Sequence, residues 1–304
     1  MNHTRVGYLY AFAAYFLWGL FPLYWKLLEP ASPLEVLAHR VLWSAVLVML
    51  ILVTLRRVGT LRDILATPRK LAGIALAGLL ISGNWGVYIY AVHTDHVLES
   101  ALGYYINPLM FVIAGLLVFG ERLRPLQWTA VAFGAASVAT LTVDYGRLPW
   151  IALVLAACFA LYGVVKKRLG LPAVQGMFWE TAAVVVPAMA FLAWLNSTGE
   201  DTFARLGWGH ALIMASAGVA TAVPLLFFAG AANRIPMVAI GIMQYIAPSM
   251  HMVIGVAILG EPMTPVSWAG FALIWTALAV FTVDAVRASR AVRESTVKIP
   301  AAVE

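Results

Sequence analysis

The chain is poor in charge and nearly without cysteine. Only 11% of its 304 residues are Asp, Glu, Lys or Arg, against about 25% in an ordinary water-soluble domain. With 62% hydrophobic residues and a mean hydropathy of +0.88, so few charges cannot cover a surface that faces water. The single cysteine, Cys158, falls inside an apolar run, which excludes a disulfide framework. Alternating segments of about ten residues, the mark of a membrane β-barrel, are missing. Also missing are His-Glu-x-x-His, a cysteine pair, Gly-x-Ser-x-Gly and a phosphate-binding Gly-Lys-Ser/Thr. No catalytic residue, metal or cofactor is therefore expected, and the chain is read as not an enzyme. Any pumping must run on a gradient or on a separate ATPase subunit.

What is present is a series of apolar runs of about 18–22 residues, each long enough to cross a hydrocarbon core of about 30 Å as a helix. Ten spans follow: Gly7–Tyr24, Leu34–Leu55, Leu71–Val92, Leu98–Phe119, Pro125–Val143, Trp150–Val165, Ala173–Leu195, Ala211–Ala232, Val238–Leu259 and Val266–Val283. The fold class is all-α, a polytopic membrane protein. Turn and charge signals such as Glu29-Pro30, Thr67-Pro68 and Gly260-Glu261-Pro262 separate the spans.

Most of the 20 Lys and Arg residues fall in loops on one side, among them Arg56, Arg57, Arg122, Lys166 and Arg287. The other side holds Lys26, Arg147 and Arg205. This positive-inside pattern places both termini in the cytoplasm and argues against a nucleic-acid partner for the net charge of +6. The first span lacks a small-residue cleavage site and is read as retained. Residues 285–304 are expected to be a cytoplasmic tail with little fixed structure.

Shifted by 140 residues, the chain matches itself. Tyr105 falls on Tyr245, Pro108 on Pro248, Gly120 on Gly260, Glu121 on Glu261, Trp128 on Trp268, and Thr142-Val143-Asp144 on Thr282-Val283-Asp284. An internal repeat constrains a fold more than any short motif. Here it divides the spans into five plus five, over residues 7–143 and 150–284. Five is odd, so the second copy enters from the opposite face. This is the inverted-repeat plan of secondary transporters, with a site near mid-membrane between the copies.

Arg40 lies about seven residues into the second span, where a charge costs about 2.5–3.5 kcal/mol on insertion scales and so faces protein or water. It is a candidate contact for an anionic group such as a substrate carboxylate. The alternative is an arginine that reaches the outer face or pairs with Glu35. Its repeat twin Glu180 is a candidate proton carrier for coupling or a contact for a substrate amine, or else a fixed helix–helix contact. Glu35 and His39 share a helix face. His39 is a second proton-coupling candidate, since imidazole titrates near neutral pH, against a plain polar cluster at the outer end. Pro108 and Pro248 are expected to bend the fourth and ninth spans symmetrically. Tyr105, Asn107, Gln244 and Tyr245 would then line the cavity, with Asn84 and Trp85 adding amide and aromatic contacts or serving as packing. His251 is read as a packing histidine, Asp95, His96 and Glu99 as solvated or capping groups, and Glu121 and Glu261 as turn and helix-start devices.

The early Ala14-Tyr15-Phe16-Leu17-Trp18-Gly19 resembles the start of EamA-type permeases of the drug/metabolite transporter superfamily. His39-Arg40-Val41-Leu42-Trp43-Ser44, Gly83-Asn84-Trp85, Leu98 to Leu109 and Gln244-Tyr245-Ile246-Ala247-Pro248 resemble its RarD-like branch, called chloramphenicol-sensitive permeases. The likeness covers about residues 5–287. It implies ten spans in two EamA repeats, a place in the bacterial plasma (inner) membrane and export of small molecules, without naming a substrate.

The expected function is a secondary transporter that moves a small metabolite or drug-like molecule by alternating access, coupled to protons. An uncoupled facilitator or channel is the alternative. The expected partners are the small-molecule substrate and the lipid bilayer, and the chain is read as a monomer.

Overall fold

The computed structural model describes residues 3–54, 68–120, 122–170, 173–203, 205–232, 234–235 and 243–297. Among the described residues all regular structure is helical. The helices are α1 (His3–Gly19), α2 (Phe21–Lys26), α3 (Pro33–Thr54), α4 (Pro68–His93), α5 (Val97–Phe119), α6 (Pro125–Tyr145) and α7 (Trp150–Leu169). Then come α8 (Ala173–Thr198), α9 (Trp208–Ala215), α10 (Ala217–Ala232), α11 (Ile246–Val253), a π-helical turn (Ile254–Ile258) and α12 (Pro265–Val297). Four of the long helices open on a proline, Pro33, Pro68, Pro125 and Pro265. There the missing N–H is one the helix does not use. Gly120 and Gly146, at φ of +65° and +63°, end α5 and α6 in the left-handed conformation that other residues resist.

Among the described residues, eight helical stretches are long and apolar enough to cross a membrane, and two shorter apolar ones, Trp150–Lys166 and Ile246–Ile258, bring the set to ten. The molecule is a polytopic membrane protein. Large apolar side chains such as Leu79, Leu117, Val143 and Val186 face outward, while Arg40, Asn84, Asn107, Glu180, Thr221 and His251 are buried. That inversion of the soluble pattern is what lipid as solvent requires.

The two copies pack by exchange. The fourth span meets the sixth and the first meets the ninth; the first meets the eighth and the third meets the sixth; the second meets the eighth and the third meets the seventh. Each pair maps onto the other when the copies are swapped. The closest approaches repeat as well. A Cβ on Gly78 of α4 would lie 2.5 Å from the Glu180 carbonyl of α8, and one on its twin Gly218 of α10 would lie 2.5 Å from the Trp43 carbonyl of α3. Glycine lets these helix backbones touch, the usual means of packing helices in lipid.

Opposite orientation is visible where α6 lies against its twin α12. Asp144, at the end of α6, accepts a hydrogen bond from Thr264 (2.7 Å) and one from Ser267 at the start of α12. At the other end, Arg124 just before α6 donates to Asp284 far along α12. Start meets end at both ends, so the twin helices are antiparallel.

Several details differ from the sequence reading. The first span is interrupted at Leu20 and the eighth at Ser216. The sixth helix runs on to Leu169. The last helix continues to Val297, so the expected unstructured tail is helical over most of its length. The proline bends are not symmetric. Pro108 lies inside the continuous α5, whereas Pro248 lies in the first turn of α11, after a turn at Gln244 and Tyr245. A proline in the first turn removes no helical hydrogen bond, so the break precedes it. Glu121, residues 238–242 of the expected ninth span, and residues 298–304 lie outside the described residues.

Candidate functional site

Arg40 is the centre of the site. It is 4% exposed, and its Nε donates to the Thr221 hydroxyl of α10 at 3.1 Å. Three aromatic faces surround the guanidinium: Trp85 of α4 at 4.2 Å, Trp25 of α2 at 5.0 Å and Phe21 of α2 at 5.6 Å. Among the described residues no carboxylate lies within ion-pair distance of it. Each desolvated cation–π contact is worth up to about 2 kcal/mol, while taking the ion out of water costs several kcal/mol. Aromatic faces soften the burial of this charge without neutralising it.

A second cluster adjoins the first. Tyr88 of α4 and Tyr104 of α5 pack edge to face at 5.5 Å, and both rings contact His251 of α11, at 5.4 and 5.7 Å. Tyr88 shares one buried cluster with Phe21 and Trp25, and Tyr24 and Tyr104 pack against it. His251 Nε2 lies 3.0 Å from the Trp18 carbonyl and 3.1 Å from the Tyr88 hydroxyl. The Trp18 carbonyl is left over by its own helix, because the residue four positions on is Pro22, which has no N–H to give. The interruption of the first span thus presents an acceptor to the ninth.

The other residues singled out by sequence fall in three places. Tyr105 shares a 2.7 Å hydrogen bond with Ser249, and its ring lies 6.4 Å from that of Tyr245 and 6.3 Å from Phe271. This is the seam of the fourth, ninth and tenth spans, with Gln244 half-buried in the turn beside it. Asn84 donates to the Leu155 carbonyl at 2.9 Å and ties α4 to α7. Asn107 is buried, and its Oδ1 has no hydrogen-bond partner among the described residues. Glu180 accepts from Lys166 at 3.0 Å and from the Tyr162 hydroxyl at 2.8 Å, both on α7. His39 stacks on Phe203 of the loop before α9, with centroids 4.5 Å apart. Glu35 caps that loop, accepting the Thr202 N–H at 2.6 Å, and so does not pair with Arg40.

Carboxylates at the helix ends do structural work. Glu99 accepts from Arg147 at 2.8 Å and from the Ile151 N–H at 2.9 Å, capping α7. Glu261 accepts the Val97 and Leu98 N–H groups at 2.6 and 2.9 Å and caps α5 of the other copy. Burial pushes the Glu261 carboxyl up from its ordinary range, and those two N–H bonds work against the rise.

Sequence reasoning found Arg40 and Trp85 but missed Phe21, Trp25, Tyr88, Tyr104 and Thr221. Tyr88 carried a usable signal: it lies three residues after Trp85 and four after Asn84, on one helix face. Tyr104 is adjacent to the chosen Tyr105, and neighbours on a helix point about 100° apart. Thr221 carried no signal.

Ten helices in two antiparallel copies, enclosing a buried charge among aromatic rings, define a membrane transporter of the inverted-repeat kind. The comparisons narrow the class. Residues 5–143 and 148–283 match the EamA-like transporter family, and the chain belongs to it. It is 48% identical to Protein RarD of Streptomyces exfoliatus over 95% of this chain and 92% of that one. It is 40% identical to an uncharacterized transporter of Vibrio cholerae, over 96% and 97% of the two chains. Protein RarD of Escherichia coli is 38% identical over 95% and 98%. A crystal structure at 22% identity superposes with a TM-score of 0.57 over 94% of this chain and 98% of that one, which shows a shared fold.

Proposed function

We propose that this protein is a secondary transporter that moves small carboxylate-bearing molecules across the membrane by alternating access. Arg40 is the anion contact, and Trp85, Tyr88 and Tyr104 are the walls for the rest of the molecule. The observation that carries this reading is a buried guanidinium with no carboxylate partner among the described residues. A charge held at such cost is a functional group by default, and an incoming carboxylate supplies what the fold withholds. The aromatic walls favour an amphipathic or aromatic molecule over a strongly hydrated one.

The direction is export, in a bacterial inner membrane, with both termini in the cytoplasm; the Lys and Arg bias of the loops supports that orientation. Transport is coupled to protons. For Glu180 the geometry favours a fixed contact between α7 and α8, since Lys166 and Tyr162 already hold its carboxylate. His39, stacked at the outer end, belongs to the packing of the loop before α9. Tyr105, Asn107, Gln244 and Tyr245 line the path next to the Arg40 site. No catalytic role is assigned to any residue.

The test compares carboxylates with neutral isosteres, benzoate with benzyl alcohol among them. Their binding to purified protein is read as thermal stabilisation. Arg40→Ala is expected to lose stabilisation by the carboxylates and keep that by the neutral analogues. Equal loss for both removes the anion-contact role.

A further inference from the structure

We propose that the loop between α8 and α9, together with α9 itself, is a gate over the Arg40 site at the membrane face where α3 begins, with Glu35 as its latch and Ser216 as its hinge. That the gate guards a substrate site rests on the reading of Arg40 given above; that this loop opens does not.

The loop is held by one face of α3. Glu35, His39 and Trp43 are spaced four residues apart and so lie in a row along that helix. The Glu35 carboxylate, 1% exposed, accepts the Thr202 N–H at 2.6 Å, the Thr202 hydroxyl at 3.0 Å and the Phe203 N–H at 3.3 Å. The Thr202 hydroxyl also lies 3.0 Å from His210 Nε2, which ties the loop to the first turn of α9. Past this latch the Phe203 ring reaches inward. Its centroid is 4.5 Å from that of His39 and 6.2 Å from that of Trp43, residues that flank Arg40 along the helix. The same ring packs against the buried cluster that includes Phe21 and Trp25, the two α2 rings on the guanidinium. Phe203 is thus a plug at the depth of Arg40, about 10 Å in from the start of α3.

The other end of this unit is built to bend. The eighth span is interrupted at Ser216, between α9 and α10. There the Ser216 hydroxyl donates to the Ile213 carbonyl at 2.6 Å, and the Tyr24 hydroxyl donates to the same carbonyl at 2.7 Å. Side-chain hydroxyls that serve a backbone carbonyl let a helix bend in lipid without leaving polar groups unpaired. Crossing the membrane does not require the break, since the twin helix α4 runs uninterrupted through the matching Leu76. α9 buries Ala211 and Met214 but leaves Trp208 and Leu212 exposed, so little packing opposes its movement. Thr221, which holds Arg40, lies beyond the hinge on α10. Movement of α9 and its loop therefore uncovers the guanidinium and leaves its partner in place. The latch charge is not duplicated, because the twin of Glu35 is Gln175.

The experiment reads opening without a substrate. In full-length protein carrying Cys158→Ser, the substitution Thr221→Cys places a thiol at the site. Sealed membrane vesicles of both orientations are then treated with a membrane-impermeant, anionic methanethiosulfonate. Adding Glu35→Gln turns a charged acceptor into a neutral one and is expected to speed modification at position 221 about tenfold from the face where α3 begins. No acceleration from that face overturns the gate. A second arm leaves Glu35 in place. In the Cys158→Ser protein, His39→Cys and Phe203→Cys are joined by a bifunctional thiosulfonate. The link is expected to stop benzoate counterflow in proteoliposomes, and reduction to restore it. Counterflow that continues with the loop tied down overturns the gate. A protein that moves no benzoate before cross-linking contradicts the substrate reading instead, and the gate then stands or falls on the labelling.

Discussion

Arg124 and Asp284 lock the twin helices α6 and α12 together at one membrane face, with Arg124 Nε 2.9 Å from both carboxylate oxygens. The twin of Asp284 is Asp144, which binds Thr264 and Ser267 at the opposite face. One duplicated aspartate therefore fastens the same helix pair at both ends, by an ion pair on one side and by hydroxyls on the other. The carboxylate holds the Arg124 guanidinium above its already high ordinary value.

The two members of this pair are not equally placed. Asp284 is buried and Arg124 is half-exposed. Arg124→Ala leaves a carboxylate buried without its cation, whereas Asp284→Ala releases an arginine to water. The first substitution is therefore expected to destabilise the protein more than the second, by about 3–5 kcal/mol against about 1 kcal/mol or less. Unfolding midpoints in one detergent check the order, and a larger loss for Asp284→Ala contradicts it.

The twin glycines give a matched pair. Gly78→Ala and Gly218→Ala each place a methyl 2.5 Å from a carbonyl oxygen of a facing helix, where rigid backbone rather than a side chain has to move. Each is expected to cost about 1–3 kcal/mol. Gly83→Ala meets nothing within 4 Å and is expected to leave stability unchanged or slightly improved. Similar melting curves for all three proteins would show that the helices are not in such close contact.

Coupling is open to direct measurement in proteoliposomes. A proton-coupled transporter accumulates its substrate against a concentration gradient when a pH gradient is imposed. A facilitator only equilibrates it. Benzoate movement that ignores the imposed gradient, with counterflow intact, would leave an uncoupled carrier.

Much of the architecture was legible because lipid imposes a simple rule. A helix satisfies its own backbone, so each crossing appears as an apolar run about 20 residues long. The antiparallel copies followed from the offset that lays Tyr105 on Tyr245. Interruptions were harder to see. Leu20 and Ser216 look like ordinary span residues, and the break at Gln244 and Tyr245 precedes the proline that seemed to mark it. The last helix outran its apolar stretch because a polar helix can continue in water once its first turns are anchored in the bundle.

The site was legible only where a residue was out of place. Arg40 stood out as a charge in an apolar run. Trp25, Tyr88 and Tyr104 did not, since aromatic residues in a spanning helix pack, face lipid or line a site with the same spacing. His251 looked like packing because its partners, the Trp18 carbonyl and the Tyr88 hydroxyl, lie 233 and 163 residues away in the chain.

By itself the sequence determined that the chain lives in a membrane, that it is built twice, and that the second copy is inverted. These are matters of composition and period, which a local pattern records. Only the tertiary structure decided that aromatic rings surround Arg40, that Glu180 is already paired with Lys166, and that a carbonyl freed by Pro22 fixes the tautomer of His251. Those facts depend on which side chains from distant helices meet. That meeting is set by the crossing of whole helices at places such as Gly78 and Gly218, where no local pattern reports the partner.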